Sequence, residues 1–210
     1  MVNLFNRCLN AEYIHCQEDG DYAIQVKGNV LYILFEWSDS TCDWFNNFDF
    51  PAKPYRDMDD KWYAHRGFLR VWKAMQDSVE EEVQQALLYN DQVDTIKCVG
   101  YSHGAAIALL ATEDMSYLHG KTLTVEGYGF GCPRVIWGKM PESLKERLKG
   151  FTAIRNIPDI VTHVPPWLFG YRHINLNKVG KLGRYGLVKA HYAEAYTKEL
   201  ANKDGDCGGS

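Results

Sequence analysis

A short β-forming run, Ile96-Lys97-Cys98-Val99, enters the pentapeptide Gly100-Tyr101-Ser102-His103-Gly104 and leaves it as the helix-forming Ala105-Ala106-Ile107-Ala108-Leu109-Leu110. A strand that becomes a helix through Gly-x-Ser-x-Gly is the sequence form of a nucleophile elbow. The bend is so tight that the serine must take strained backbone angles, which leaves its hydroxyl clear of the sheet. A side chain at position 100 or 104 would strike neighbouring backbone, and glycine has no Cβ to collide. The competing reading is an ordinary strand–turn–helix with a solvated serine. The elbow marks Ser102 as the candidate nucleophile.

The rest of the chain supplies strands and helices in alternation. Tyr22–Val26, a turn at Lys27-Gly28-Asn29, and the apolar run Val30–Phe35 read as a hairpin whose second strand lies deep in a sheet. Phe68, Val71, Trp72, Met75, Val79, Val83 and Leu87 recur at three and four residues, which predicts one long amphipathic helix. Further strands are expected near 93–99, 122–131 and 151–156, a short helix near 141–148, a marginal hairpin over 171–187, and a final helix over 191–200. This order argues for an α/β fold with a mostly parallel sheet covered on both faces. The segment 36–66 is too long and polar for a simple connection. It reads either as a lid-like insertion or as a surface excursion, with one short helix after Ser40. The glycines of Gly127-Tyr128-Gly129-Phe130-Gly131 are not a dinucleotide fingerprint, because no helix starts at Cys132.

A serine hydroxyl is a weak nucleophile and needs a base, which in turn needs an orienting acid. In α/β-hydrolase chains these follow the serine in the order acid, then histidine. Asp159 lies just past the strand 151–156, behind Pro158, where ligands gather at strand ends. Asp114, on the helix leaving the elbow, is a poorer candidate. Among the later histidines, His163 sits only four residues after Asp159, in the same loop. Spacing leaves His173 and His191 open as the base and ranks His191 first.

A chain of 210 residues, 46% hydrophobic, suits one domain, expected over 1–200, with a disordered polar tail over 201–210. A net charge of −4, with no basic run, argues against a nucleic-acid surface. No apolar run reaches membrane-spanning length. The N-terminus lacks the apolar core of a secretory leader, and the six cysteines show no Cys-x-x-Cys spacing. Together these predict reduced thiols and a cytoplasmic location. No histidine–cysteine spacing suggests a metal, and neither metal nor cofactor is expected.

Five segments taken together resemble the class 3 lipases, the fungal-lipase-like branch of the α/β-hydrolases. They are Phe35-Glu36-Trp37-Ser38-Asp39-Ser40 with Asp43-Trp44; His65-Arg66-Gly67-Phe68; the elbow itself; Phe130-Gly131-Cys132-Pro133-Arg134-Val135; and Asn156-Ile157-Pro158-Asp159 continuing to Val164-Pro165-Pro166. The likeness runs in order from about Tyr22 to Leu200. It implies an α/β-hydrolase fold and hydrolysis of carboxylic esters, acylglycerols typically. By position it implies Ser102 as nucleophile, Asp159 as orienter and His191 as base, because the family's histidine opens its last helix with an aromatic about a turn later, here Tyr196. It also implies an oxyanion hole from Ser38 and the backbone N–H of His103, with Asp43 holding the Ser38 loop. Trp37 and Glu36 depart from the family's Gly and Arg, and a bulky residue at 37 narrows the acyl entrance.

The sequence thus predicts a cofactor-free serine carboxylic-ester hydrolase acting on acylglycerol-type or other lipid esters, with Trp37, Trp44, Phe45, Tyr101 and Trp167 as substrate contacts. Transient contact with a lipid surface is expected. Phospholipase, thioesterase or acyltransferase chemistry uses the same triad, and a non-catalytic binding module on this scaffold is the alternative from another class.

Overall fold

The computed structural model describes residues 1–16, 20–36, 51–56 and 61–206. Its strands are β1 (Ile14–His15), β2 (Asp21–Lys27), β3 (Val30–Phe35), β4 (Ala52–Tyr55), β5 (Trp62–His65), β6 (Thr95–Tyr101), β7 (Thr124–Phe130), β8 (Ile136–Trp137), β9 (Phe151–Asn156), β10 (Tyr171–Arg172) and β11 (Leu176–Val179). Its helices are α1 (Val2–Leu9), α2 (Arg66–Tyr89), α3 (His103–His119), α4 (Glu142–Arg147) and α5 (Ala193–Asp206).

Among the described residues, seven strands form the main sheet in the order β1-β2-β3-β6-β7-β9-β11. The β2–β3 hairpin is antiparallel, with Tyr22 opposite Phe35 and Lys27 opposite Val30, and from β3 to β11 every pairing is parallel. The α/β-hydrolase-like fold with a mostly parallel, helix-flanked sheet is therefore what the chain adopts. The pleat sorts the residues of β6 by parity. Ile96 and Cys98 join the larger core with Trp72 and Met75 of α2 and Leu110 of α3. Val99 and Tyr101 join a second core with Phe5 of α1 and Tyr196 and Leu200 of α5. Among the described residues no helix is long and apolar enough to cross a membrane.

Four features differ from the sequence expectation. Residues 171–187 are not a hairpin: β10 pairs antiparallel with β8, while β11 extends the main sheet parallel to β9. The turn chemistry between the two apolar stretches is real, but their partners lie elsewhere in the chain. Second, β10, β8, β5 and β4 form a separate four-stranded sheet with no signal in local periodicity. Third, α1 packs under the main sheet, burying Phe5 and Cys8, at residues for which no element was expected. Fourth, α5 continues through residues 201–206, where a disordered tail was expected, and Asp204 accepts hydrogen bonds from the Met1 amino group at 3.0 Å and the Val2 N–H at 3.1 Å.

The second sheet is tied to α3 by buried charge. Arg56 donates to Glu113 Oε2 at 2.9 Å and to Asp114, and Arg147 Nε donates to Glu113 Oε1 at 2.6 Å. Asp114 also accepts from Gln76 at 2.8 Å and Tyr55 at 3.3 Å. Asp114 is thus a structural anion at the far end of its helix segment from the elbow. Buried carboxylates survive only when paired in this way.

Candidate active site

The elbow forms as its sequence predicts. Ser102 has φ 56° and ψ −119°, a conformation that costs a non-glycine residue about 1–3 kcal/mol. The strain is held by a hydrogen bond from Ser102 N–H to Phe130 O at 2.9 Å and one from Ala105 N–H to Ser102 O at 3.1 Å. A Cβ on Gly100 would lie 2.0 Å from the Gly104 carbonyl oxygen, and one on Gly104 would lie 2.3 Å from the Glu36 carbonyl oxygen. Both glycines are therefore required by backbone contact.

Three side chains from distant parts of the chain meet at this bend. Ser102 Oγ lies 2.8 Å from His191 Nε2, and His191 Nδ1 lies 2.8 Å from Asp159 Oδ2. Asp159 is completely buried, and Ser102 and His191 nearly so. Ser102 follows β6, Asp159 follows β9, and His191 ends a one-turn 3-10 helix, Lys189–His191, just before α5. The parallel register brings the carboxyl ends of β6 and β9 to the same edge of the sheet, which is why residues 57 positions apart become neighbours. A hydroxyl donating to an imidazole whose second nitrogen donates to a carboxylate is a nucleophile–base–orienter relay.

The Asp159 carboxylate is held by more than the imidazole. Oδ1 accepts from Val161 N–H at 2.8 Å, and Oδ2 accepts from the Tyr196 hydroxyl at 2.6 Å. Tyr196 is held in turn by Asn156 N–H at 3.0 Å, and Asn156 Nδ2 donates to Ala190 O at 2.9 Å beside His191. Burial and the neighbouring Asp159 charge push the Tyr196 phenol well above its ordinary pKa, so it serves as a donor. Gly131, at φ 62°, lies against the imidazole: a Cβ there would approach His191 Cε1 to 2.8 Å. The sequence signals Tyr196 only as an aromatic five residues after His191, and Asn156 only as the first residue of the Asn156-Ile157-Pro158-Asp159 segment.

The other candidates separate cleanly. His173 Nε2 is 2.7 Å from Thr162 O, so it braces the loop after Asp159, and burial lowers its pKa to about 4. His163 Nδ1 is 2.8 Å from the Asp159 backbone carbonyl. His103 opens α3 beside the nucleophile, where helix N–H groups have no intrahelical acceptor. Tyr101, expected to contact substrate, is buried with Phe5, Phe130 and Tyr196, and its ring stacks on the His191 imidazole. Trp167 stands exposed in a 3-10 turn, Trp167–Phe169, after Pro165-Pro166. Ser38, Trp37, Asp43, Trp44 and Phe45, and the helix expected after Ser40, lie outside the described residues.

Residues 32–169 match the family model described as lipase (class 3), and this span is more than half of the chain. The chain belongs to the class 3 lipase family. It is 29% identical over 133 residues to secreted mono- and diacylglycerol lipase 1 of Fusarium solani, covering 62% of this chain and 38% of that one. It is 28% identical over 171 residues to phospholipase A1-II 4 of Oryza sativa subsp. japonica, covering 70% of this chain and 42% of that one. The fold matches the triacylglyceride lipase of Rhizomucor miehei with a TM-score of 0.67 at 22% identity, over 81% of this chain and 66% of the other. The chain thus spans roughly 38–57% of the length of the fungal relatives it matches first.

One expectation is overturned here. A cytoplasmic location had been inferred from the missing leader and the reduced thiols. The fungal acylglycerol lipases among the relatives are named as secreted, and the plant phospholipase A(1) DAD1 as chloroplastic. The inference failed because a segment shorter than its relatives says nothing about leaders through its first residues, and free buried cysteines such as Cys98 and Cys132 act as small core hydrophobes in any compartment.

Proposed function

We propose that this class 3 lipase-family chain hydrolyses carboxylic esters of glycerolipids. The single observation behind the reading is the continuous relay Ser102–His191–Asp159, with two hydrogen bonds of 2.8 Å in a buried setting. Ser102 Oγ attacks the ester carbonyl while His191 Nε2 takes its proton. The imidazolium then gives that proton to the leaving alcohol, forming the acyl-enzyme. Water repeats the sequence and frees the acid. Asp159 holds the Nδ1–H tautomer and the charge that develops on the ring. The His103 N–H, with Ser38, stabilises the oxyanion; removing such a donor typically costs about 10²–10³ in kcat.

The relatives include both acylglycerol lipases and phospholipases A1, so the substrate class proposed is the ester bond they share, and the head group is left to experiment. A complete relay argues against a non-catalytic binding module. The test is turnover of monoacylglycerol, diacylglycerol and phosphatidylcholine, with fluorophosphonate labelling alongside. Ser102→Ala is expected to abolish labelling and turnover, and His191→Ala to cost far more than His173→Ala. Wild-type turnover by Ser102→Ala would sink the proposal, and equal losses at the two histidines would unseat His191 as base.

A further inference from the structure

The stretch between Asp159 and Glu194 contains Arg172, Lys178, Lys181, Arg184 and Lys189 and no acidic residue, a formal charge of +5. The whole chain is −4, so minus 4 less plus 5 leaves −9 on all the rest. The charges are spaced by apolar residues, which hides the bias from a search for basic runs. The same stretch carries two groups of exposed apolar side chains. One is the turn Trp167-Leu168-Phe169, with Leu168 at 74% exposure; the other is the loop before the catalytic histidine, with Leu182 at 79% and Leu187 and Val188 also exposed. Single exposed apolar residues need no explanation, but clusters of them do.

These loops are bonded to the relay itself. Ile160 N–H, next to Asp159, donates to Leu187 O at 3.2 Å, and His191 N–H donates to Val188 O at 3.0 Å. Not every cation is available. Arg184 is paired with Glu199 at 2.8 Å, and Arg172 donates to the Trp167 carbonyl at 3.1 Å, which holds the aromatic turn. Lys178, Lys181 and Lys189 remain exposed.

We propose that this rim docks the protein on a bilayer that carries anionic phospholipid, with Leu182 and Leu187 entering the headgroup–acyl boundary and Lys181 and Lys189 resting on the phosphates. An apolar edge flanked by lysines is the pattern of an interfacial anchor. Each lysine near an anionic surface strengthens binding by about fivefold. Exposed leucines have no use against a nucleic acid backbone, which favours lipid as the polyanion. The inference rests on the ester-hydrolase reading for its purpose, since docking here sets the relay against a lipid ester.

The experiment is flotation of the Ser102→Ala protein, which leaves the lipid intact, with vesicles of phosphatidylcholine alone or with about one third phosphatidylglycerol. With two lysines engaged, binding should be about 25-fold tighter on the anionic vesicles and should fall away at ~1 M salt, where the Debye length is about 3 Å. Lys181→Glu/Lys189→Glu should reduce binding to the phosphatidylcholine level, and Leu182→Ser/Leu187→Ser should weaken it on both vesicles, each with the melting temperature unchanged. Equal binding to both vesicles, no binding to either, indifference to the charge reversals, or tighter retention of duplex DNA than of anionic vesicles would each overturn the inference. Turnover of a water-soluble ester by the protein with Ser102 intact is read separately. A chain that floats but cleaves no ester refutes the hydrolase reading alone; one that cleaves dissolved ester but does not float refutes the docking alone.

Discussion

The Tyr101 ring lies stacked under the His191 imidazole, 5.2 Å between centroids at 23°, while its hydroxyl donates to the His191 backbone carbonyl. The residue before the nucleophile thus holds the base by both ring and main chain. Two mutants separate the contributions. Tyr101→Phe keeps the stack and loses one hydrogen bond, normally worth about 1 kcal/mol net, so kcat should fall by roughly fivefold. Tyr101→Leu loses both and should fall by about 10²-fold, the scale of a misplaced catalytic group. KM on a soluble ester should stay nearly constant in each, measured by steady-state kinetics. A large rise in KM with kcat retained would return Tyr101 to substrate contact.

Tyr196 presents a second arrangement of this kind, since its hydroxyl and the His191 Nδ1–H share Asp159 Oδ2. Tyr196→Phe removes a donor to a buried carboxylate. The expected loss is about 2 kcal/mol of stability, from urea unfolding, with about a tenfold lower kcat. Asp159→Asn should cost far more in kcat, about 10⁴, because the amide no longer selects the productive tautomer. Equal kcat for Tyr196→Phe and wild type would show that Val161 N–H alone suffices to orient the carboxylate.

Stability should decline in mild acid through buried neutral histidines. Burial lowers both His65 and His173 to about 4, from an ordinary 6.5. In the unfolded chain they bind protons below about 6.5, while in the folded protein they stay neutral until about 4. The unfolded state therefore holds more protons across this window, and stability is full above it and falls as pH drops through it. Urea midpoints measured from pH 7 to 4 should decrease, and His173→Gln should flatten the slope. An unchanged slope in that variant would place the acid sensitivity elsewhere.

Arg56 joins the second sheet to α3 through Glu113 and Asp114. Removing one partner from a buried ion network strands charge in the interior. Arg56→Ala should cost about 3 kcal/mol, at the low end of that range because Arg147 still holds Glu113 and Gln76 still holds Asp114. Thermal or urea unfolding reads the loss. A change below ~1 kcal/mol would mean that the network relaxes around the gap.

Local chemistry made much of the main sheet legible. The β2–β3 hairpin follows from Lys27-Gly28-Asn29 between apolar runs, α2 from its three-and-four repeat, and the elbow from two glycines around Ser102. The four-stranded sheet was not legible, because Ile136-Trp137 and Tyr171-Arg172 are too short for a period to show and pair only with distant segments. The burial of Asp114 in an ion network and of Tyr101 beside His191 was not legible for one reason: residue type and spacing do not reveal which face of an element is buried, or against what.

By itself, the order of residues determined that Ser102 would stand at a strained strand-to-helix bend, since only glycine at 100 and 104 permits that backbone approach. It also narrowed the acid and the base to a few residues in the second half of the chain. The tertiary structure decided which histidine serves: His191 reaches Ser102 because Asn156, Tyr101 and Tyr196 hold its loop over the ends of β6 and β9, whereas His173 is drawn to Thr162. Such choices depend on through-space packing among segments dozens of residues apart, and no local pattern encodes them.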